Sequence, residues 1–181
     1  MKSKRYVLAV LVEDKPSALT RVSGLFARRA FNIHSLAVGP SESEGISRIT
    51  IVTDESSNPI EQIVNQLRKL IYVIKIDVMQ YDKSIEREIA LIKVNADINN
   101  STGGQSIRTA IIEVANIFRA NVVDVTPQSF TIEATGNARK LKGLIEALEP
   151  YGVLEIVKSG TIAIKRGSDT ITDVVNLGDA E

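Results

Sequence analysis

Polar and small side chains gather at one strand-to-helix turn of this sequence. Asp14 and Ser17 follow an apolar run, and Ala18 and Leu19 open a segment with helical periodicity. The N-terminal end of a helix presents unpaired N–H groups and partial positive charge, so this turn suits a carboxylate. The Asp14 carboxylate, in turn, can accept hydrogen bonds from an ammonium group. These residue types fit the two charged ends of a free α-amino acid.

Asn32 begins the next apolar segment and is followed by Ile33. Its amide can both donate and accept hydrogen bonds, and the strand that it opens can run beside the first strand in a split βαβ fold. The residues therefore predict an amino-acid site with Ala18, Leu19 and Ile33 as apolar lining. From the residues alone a plainer interpretation is favoured, in which Asp14 or Ser17 caps the helix and Asn32 supports a turn.

No arrangement of residues for catalysis accompanies this turn. No nucleophile has a histidine or lysine base at a recognisable spacing. His34 is the single histidine and there is no cysteine, which excludes disulfides, thiolate sites and multi-histidine metal sites. We interpret His34 as a strand residue that faces solvent or a partner. The segment STGGQS (residues 101–106) lacks the G-K-[ST] ending of a phosphate loop, so we interpret it as a flexible loop with a helix cap.

The bulk composition is that of an ordinary globular protein. The chain has 181 residues, a formal net charge of +0, 44% hydrophobic and 4% aromatic residues. A nucleic-acid binder usually has a basic excess, and single-strand binders add exposed aromatic residues. The N-terminal apolar run is too short for a signal peptide, and no run approaches the roughly 18 apolar residues of a membrane span. We expect a soluble protein of a reducing compartment, without nucleic acid or membrane as a partner.

Hydrophobic periodicity predicts the same element order in both halves of the chain. In the first half, strands are predicted over residues 6–13, 33–38, 46–53 and 72–80, and helices over residues 18–30 and 60–70. In the second half, helices are predicted over residues 104–120 and 137–148, and a hairpin over 121–136. Strands are predicted over residues 86–96 and 153–167, the last with an irregularity at Ser159-Gly160. The order β-α-β-β-α-β is that of the ferredoxin-like split fold.

The predicted fold class is therefore α+β, with two ferredoxin-like βαββαβ domains in tandem. We place an effector-binding domain at residues 1–80, a second domain at residues 85–166 and a tail at residues 167–181. The tail has no clear period and is predicted to be disordered. Each small sheet has open edges, which favours pairing with another copy of the chain.

The first turn and its helix resemble a known family. The stretch VEDKPSALTRVSGLFARRAFNIHSLAVGP closely resembles the amino-terminal ACT domain of the small, regulatory subunit of acetohydroxyacid synthase (acetolactate synthase). The segments IEREIALIKV, IFRANVVDVTPQSFTIEATG and SGTIAIKRG resemble the family's carboxy-terminal domain. The resemblance covers residues 5–167 in order and leaves out the tail.

The resemblance implies a regulatory subunit with no chemistry and no cofactor of its own. Its partner would be the catalytic large subunit, which uses thiamine diphosphate, FAD and magnesium to condense pyruvate with pyruvate or 2-ketobutyrate. The small subunit would raise that activity and confer feedback inhibition by valine, in the bacterial cytoplasm or in the plastid stroma. It would form a homodimer through its ACT domains.

In the family, valine lies between two ACT domains, and its site carries over to matching positions here. Asp14, Ser17, Ala18 and Asn32 would contact valine, and Leu19 and Ile33 would line the site. Three positions depart from the family pattern. Asp14 stands where an asparagine is usual, and Ser17 and Ala30 stand where glycines are usual. If Ala30 adopts a left-handed conformation, strain of about 1 kcal/mol follows.

Three alternatives remain at this stage. A free-standing ACT-type amino-acid sensor, acting on another enzyme or a transcription factor, would share the first half but would not need the second. An RNA-binding module would need aromatic residues on a central strand, where this chain has ISRITIV and SFTIEAT. A catalytic role would need a general base.

Overall fold

The computed structural model describes residues 4–54, 59–97 and 106–172 of the chain. These form two compact units. The first comprises Met1–Glu86 and Thr161–Glu181, and the second comprises Arg87–Gly160. The second unit is thus inserted between two segments of the first.

The first unit has the predicted βαββαβ order. Its elements are β1 (Arg5–Glu13), α1 (Ala18–Arg28), β2 (Ile33–Pro40), β3 (Ile46–Asp54), α2 (Ile60–Leu67) and β4 (Val73–Met79). The strands form an antiparallel sheet in the order β2-β3-β1-β4. The ferredoxin-like prediction is confirmed for this unit, and the predicted hairpin turn SESEG is the loop between β2 and β3.

The apolar residues of β1 explain its central position in the sheet. Leu8, Val10 and Val12 point to one face and pack with α1 and α2 in the main core. Successive side chains of a strand point to opposite faces, and Val7, Ala9 and Leu11 are buried in a second cluster on the other face. A strand that is buried on both faces needs a continuous apolar run, which β1 has.

The second unit repeats the fold. Its elements are β5 (Ser84–Asn95, which begins in the first unit), α3 (Ile107–Ile117), β6 (Asn121–Val125), β7 (Ser129–Gly136), α4 (Ala138–Leu148) and β8 (Val153–Lys158). The strands are ordered β6-β7-β5-β8. Ala90, Ile92 and Val94 of β5 are buried in its core, whereas Ile89 and Leu91 are exposed. The second ferredoxin-like prediction is also confirmed.

The irregularity predicted at Ser159-Gly160 is confirmed, and it divides the last predicted strand into two separate strands. The chain breaks after Lys158 and resumes as β9 (Ile162–Lys165). We name residues 161–172 the strap. They belong to the first unit, although the sequence-based boundary at residue 166 assigns half of them to the second domain. Ala163 and Ile171 are buried in the cluster on the outer face of the first sheet.

Several sequence-based interpretations fall outside the described residues. Residues 173–181 of the predicted tail and residues 101–105 of the STGGQS segment are among them. Residues 167–172 of the tail are described, and Ile171 there is only 4% exposed. Among the helices that the structure describes, none is long and apolar enough to cross a membrane.

Candidate functional site

Backbone hydrogen bonds fix the turn between β1 and α1. The N–H of Glu13 donates to the Tyr72 carbonyl at 2.9 Å, and the N–H of Asp14 donates to the Gly45 carbonyl at 2.8 Å. The Lys15 carbonyl then accepts the N–H of Ala18 at 3.0 Å. The turn is thereby attached to the hairpin loop between β2 and β3, a link that the sequence analysis did not predict. The glycine that ends SESEG indicated a sharp turn at this point, and Gly45 has φ 74°.

Ser17 occupies the N-cap position of α1, but its side chain makes no capping hydrogen bond. The plainer interpretation of Ser17 as a helix cap is therefore wrong. Its backbone has φ −95° and ψ −4°, a conformation that any L-residue adopts, so the fold does not require glycine at this position. The first N–H groups of a helix have no partner within the helix, and the Ser17 side chain accepts no hydrogen bond from them here.

We call the predicted site residues on this turn the first half-site; they are Asp14, Ser17, Ala18 and Leu19. Their side chains differ in exposure. Asp14 and Leu19 are exposed, Ser17 is half-buried and Ala18 is buried beneath the turn. Arg21, one turn further along α1, places its guanidinium 5.5 Å from the centre of the Tyr72 ring. The half-site thus presents a carboxylate, a hydroxyl, helix N–H groups and one exposed apolar side chain.

The second half-site (Asn32 and Ile33) is held by a chain of polar contacts. The Asn32 carbonyl accepts the Thr53 hydroxyl at 2.7 Å. The Asn32 Nδ2 donates to His34 Nδ1 at 3.2 Å, and His34 Nε2 lies 3.1 Å from Asp54 Oδ2. This arrangement requires the ring proton on Nε2.

His34 therefore has a role that the sequence analysis missed. The interpretation of His34 as an exposed strand residue is confirmed, and its ring in addition orients the Asn32 amide. The signal was the spacing, because residues i and i+2 of a strand project to one face.

A left-handed residue connects α1 to this second half-site. Ala30 has φ +55°, so the condition stated for this glycine position of the family is met. The cost is about 1 kcal/mol for a residue with a Cβ. Phe31 follows it, is buried, and packs edge-on against Phe26 with ring centres 6.2 Å apart. This apolar anchor holds the start of β2 in place despite the strained residue.

The two half-sites lie at opposite ends of the sheet. Ile33 is opposite Thr53, and Thr53 is opposite Tyr6 at the start of β1. Asp14 follows Glu13 at the end of β1. The seven residue steps between Tyr6 and Glu13 span about 23 Å at ~3.3 Å per residue. One chain therefore does not bring Asn32 and Asp14 together.

This separation corrects one expectation. The strand that follows Asn32 was expected to run beside β1, but β3 lies between β1 and β2. Within one copy of the chain, the predicted site residues therefore form two separate groups rather than one site. Within residues 4–54, 59–97 and 106–172, no group of three or more His, Cys, Asp or Glu side chains is placed to hold a metal ion.

Two family profiles match this chain, one on each half. The profile for the AHAS small subunit-like ACT domain matches residues 8–75. The profile for the small subunit of acetolactate synthase matches residues 87–167.

Relatives match over nearly the whole chain. It is 52% identical over 167 residues to the acetolactate synthase small subunit of Mycobacterium bovis, covering 92% of this chain and 95% of the relative. It is 55% identical over 162 residues to that of Mycolicibacterium smegmatis, covering 90% and 91%. The crystal structure of the acetolactate synthase small subunit from Thermotoga maritima matches with a TM-score of 0.79 and 35% identity, covering 92% of this chain and 99% of that one.

Proposed function

This chain belongs to the family of acetolactate synthase small subunits, and we propose that it activates the catalytic large subunit and makes it sensitive to valine. Family membership assigns it a regulatory role, with the catalytic large subunit as its partner. The free-standing sensor is thereby set aside. The relatives named above come from bacteria and give no support to a plastid origin.

The separation of the two half-sites carries the proposal. β2 is an edge strand of the first sheet, and an open edge is a template for pairing with a second copy. Antiparallel pairing of two β2 strands about a twofold axis lays Ile33 of one copy beside Pro40 of the other. Pro40 leads into the hairpin loop, in which the Gly45 carbonyl accepts the N–H of Asp14. The homodimer therefore brings the Asn32 half-site of one copy towards the Asp14 half-site of its partner.

Each half-site then takes part of a bound valine. The carboxylate is bound by the free N–H groups at the start of α1 and by the Ser17 hydroxyl. The ammonium group is bound by the Asp14 carboxylate, and the Asn32 amide of the second copy bridges the two charged groups. Leu19 and Ile33 contact the isopropyl group, above the buried Ala18.

The strength of these contacts suits a sensor of a metabolite pool. Burial of the valine side chain contributes roughly 1.5–3 kcal/mol, and each charge-assisted hydrogen bond about 1.5–3 kcal/mol. An association cost of at least about 4 kcal/mol opposes them, which gives micromolar-to-millimolar affinity. Inhibition follows if valine favours one arrangement of the paired domains and the catalytic subunit favours another, with a coupling of about 1–3 kcal/mol.

The direct test is acetolactate formation by the matching catalytic subunit, with and without this protein, across a valine titration. We expect the protein to raise activity and valine to suppress the increase. A rise in activity that valine, leucine and isoleucine all leave unchanged would refute feedback while keeping activation. No rise at all would refute activation.

A complementation experiment tests whether two copies share the site. Asn32→Ala and Asp14→Ala chains are each expected to bind valine at least tenfold more weakly than the wild type, with Asn65→Ala on the surface of α2 as a control. In a mixed dimer, one of the two sites takes both substituted residues and the other takes neither. Mixing the two variants should restore tight binding at one site of each mixed dimer. Failure of mixing to restore any tight site would exclude a shared site.

A further inference from the structure

We infer that the strap, residues 161–172, transmits the occupancy of the effector site from the first unit to the second. This inference rests on the proposed function, because it takes valine as the effector. The strap is the segment by which the chain returns from the second unit, which ends at Gly160, to the first. Its contacts within the first unit reach residues that neighbour both half-sites.

The start of the strap is attached next to the Asn32 half-site. The N–H of Thr161 donates to the Ser35 hydroxyl at 2.6 Å, and Thr161 is buried. Ser35 follows His34, whose ring orients the Asn32 amide. The β2–β3 register shifts between Ile33 and Ser35, so the backbone here is irregular. A ligand that repositions Asn32 therefore acts three residues from the strap's first anchor.

The middle of the strap crosses the outer face of the sheet. Arg48 of β3 donates from Nη2 to the Ala163 carbonyl at 2.7 Å. Lys165 pairs with Asp77 of β4 at 2.6 Å, and the N–H of Arg166 donates to the Lys83 carbonyl at 2.9 Å. Lys83 immediately precedes β5, through which the chain enters the second unit. The strap is the segment by which the chain returns to the first unit, and through Lys83 it also contacts the segment by which the chain leaves.

The end of the strap returns to the Asp14 half-site. Ile171 is buried in the same cluster as Ile46, the first residue of β3. A hydrogen bond within Glu42 to its own backbone, and then one from Thr172, hold the pKa of Glu42 below its ordinary value. Glu42 lies in the same hairpin loop as Gly45, whose carbonyl accepts the N–H of Asp14.

These contacts attach the strap beside each half-site, at Ser35 and at Glu42, and Gly160 connects it covalently to the second unit. In the dimer each chain gives its Asn32 half-site to one valine and its Asp14 half-site to the other, so bound valine displaces the residues at both ends of β2 in the same chain. A segment attached at both places must then shift or release one attachment. Because Thr161 is bonded to Gly160, the last residue of the second unit, either change reaches the second unit through the chain itself.

The experiment compares Ser35→Ala/Ile171→Ala with a matched control, Ser106→Ala/Ile162→Ala. Ser106 makes no capping bond at the start of α3, and Ile162 lies on the strap but is 60% exposed. Valine binding is measured by calorimetry, and activation and inhibition are measured with the catalytic subunit. We expect the first variant to bind valine within about threefold of the wild type and to activate, while its maximal inhibition falls to less than half. The control should behave as the wild type.

Inhibition equal to the wild type in a folded Ser35→Ala/Ile171→Ala variant would overturn the inference. If that variant does not fold, hydrogen exchange of the wild-type chain decides, because amides of residues 161–172 should change their exchange rate several-fold on saturation with valine. An unchanged rate would also overturn the inference. Absence of valine binding by the wild type refutes the proposed function and this inference with it. Binding without inhibition refutes only feedback, and the exchange of the strap then decides the inference.

Discussion

The two sheets have the same strand order, yet they differ in how their outer faces are covered. In the first unit, Val7, Ala9 and Leu11 of β1 are buried on the face opposite the helices, beneath the strap. In the second unit, Ile89 and Leu91 of β5 occupy the corresponding face and are exposed. The strands show this difference in their sequences, since β1 is a continuous apolar run whereas β5 has Lys93 on its exposed face. A common fold therefore carries a closed face in one unit and an open face in the other.

The largest expected effect compares one leucine on the outer face of each sheet. Leu11 is fully buried, and Leu91 is 43% exposed. We expect Leu11→Ala to lower the free energy of unfolding by about 2–5 kcal/mol, because it removes buried methyl groups and leaves a cavity. Leu91→Ala should cost about 1 kcal/mol or less. Chemical denaturation of both variants checks this, and equal costs would mean that the outer faces are not differently covered.

A smaller effect tests the cover itself. Ile171→Ala removes a buried side chain from the strap, so we expect a loss of about 2 kcal/mol. Ile162→Ala changes an exposed residue of the same segment and should cost less than about 0.5 kcal/mol. Thermal unfolding separates the two. A negligible loss for Ile171→Ala would show that the strap does not contribute to the stability of the first unit.

The two units resemble each other again where their first helices end. Ala30 after α1 and Arg119 after α3 are both non-glycine residues with positive φ, at 55° and 51°. Relief of left-handed strain is worth about 1 kcal/mol and is partly offset by the greater freedom of glycine in the unfolded chain. Ala30→Gly and Arg119→Gly should each raise the free energy of unfolding by about 0.5 kcal/mol. A loss of stability in either variant would contradict the strain at that position.

The smallest effect concerns pH and the end of the strap. Because the pKa of Glu42 is lowered in the folded chain, its contribution to stability is present at pH values above its ordinary pKa and is lost as the pH falls through the lower, folded value. Since Glu42 is exposed, solvent screens this contribution and keeps it small. Glu42→Gln should thus unfold at a slightly lower temperature than the wild type at neutral pH. The difference should vanish in acid, and a constant difference would exclude ionisation as its cause.

Local features were predictable because they depend on neighbours in the chain. Periodicity located the helices and strands of both units, and the likeness of Ala30 to a glycine position indicated where a left-handed backbone would bring strain. The irregularity at Ser159-Gly160 was visible in the sequence, and the strand is interrupted there. That the residues after it pack on the first sheet depends on contacts with a distant part of the chain. The contact between His34 and Asn32 follows from their spacing, but the contact between His34 and Asp54 does not, because Asp54 comes from another strand.

The sequence by itself determined the two βαββαβ units, the residue types suited to an amino-acid ligand and the family resemblance. All three depend on local periodicity or on residue order, which a single chain displays directly. Only the tertiary structure decided that β3 separates β1 from β2, so that Asp14 and Asn32 lie at opposite ends of the sheet. It also decided which segment covers the first sheet. The continuous apolar run of β1 requires a cover on both faces, but strand order and the path of the strap are set by contacts between residues far apart in the chain.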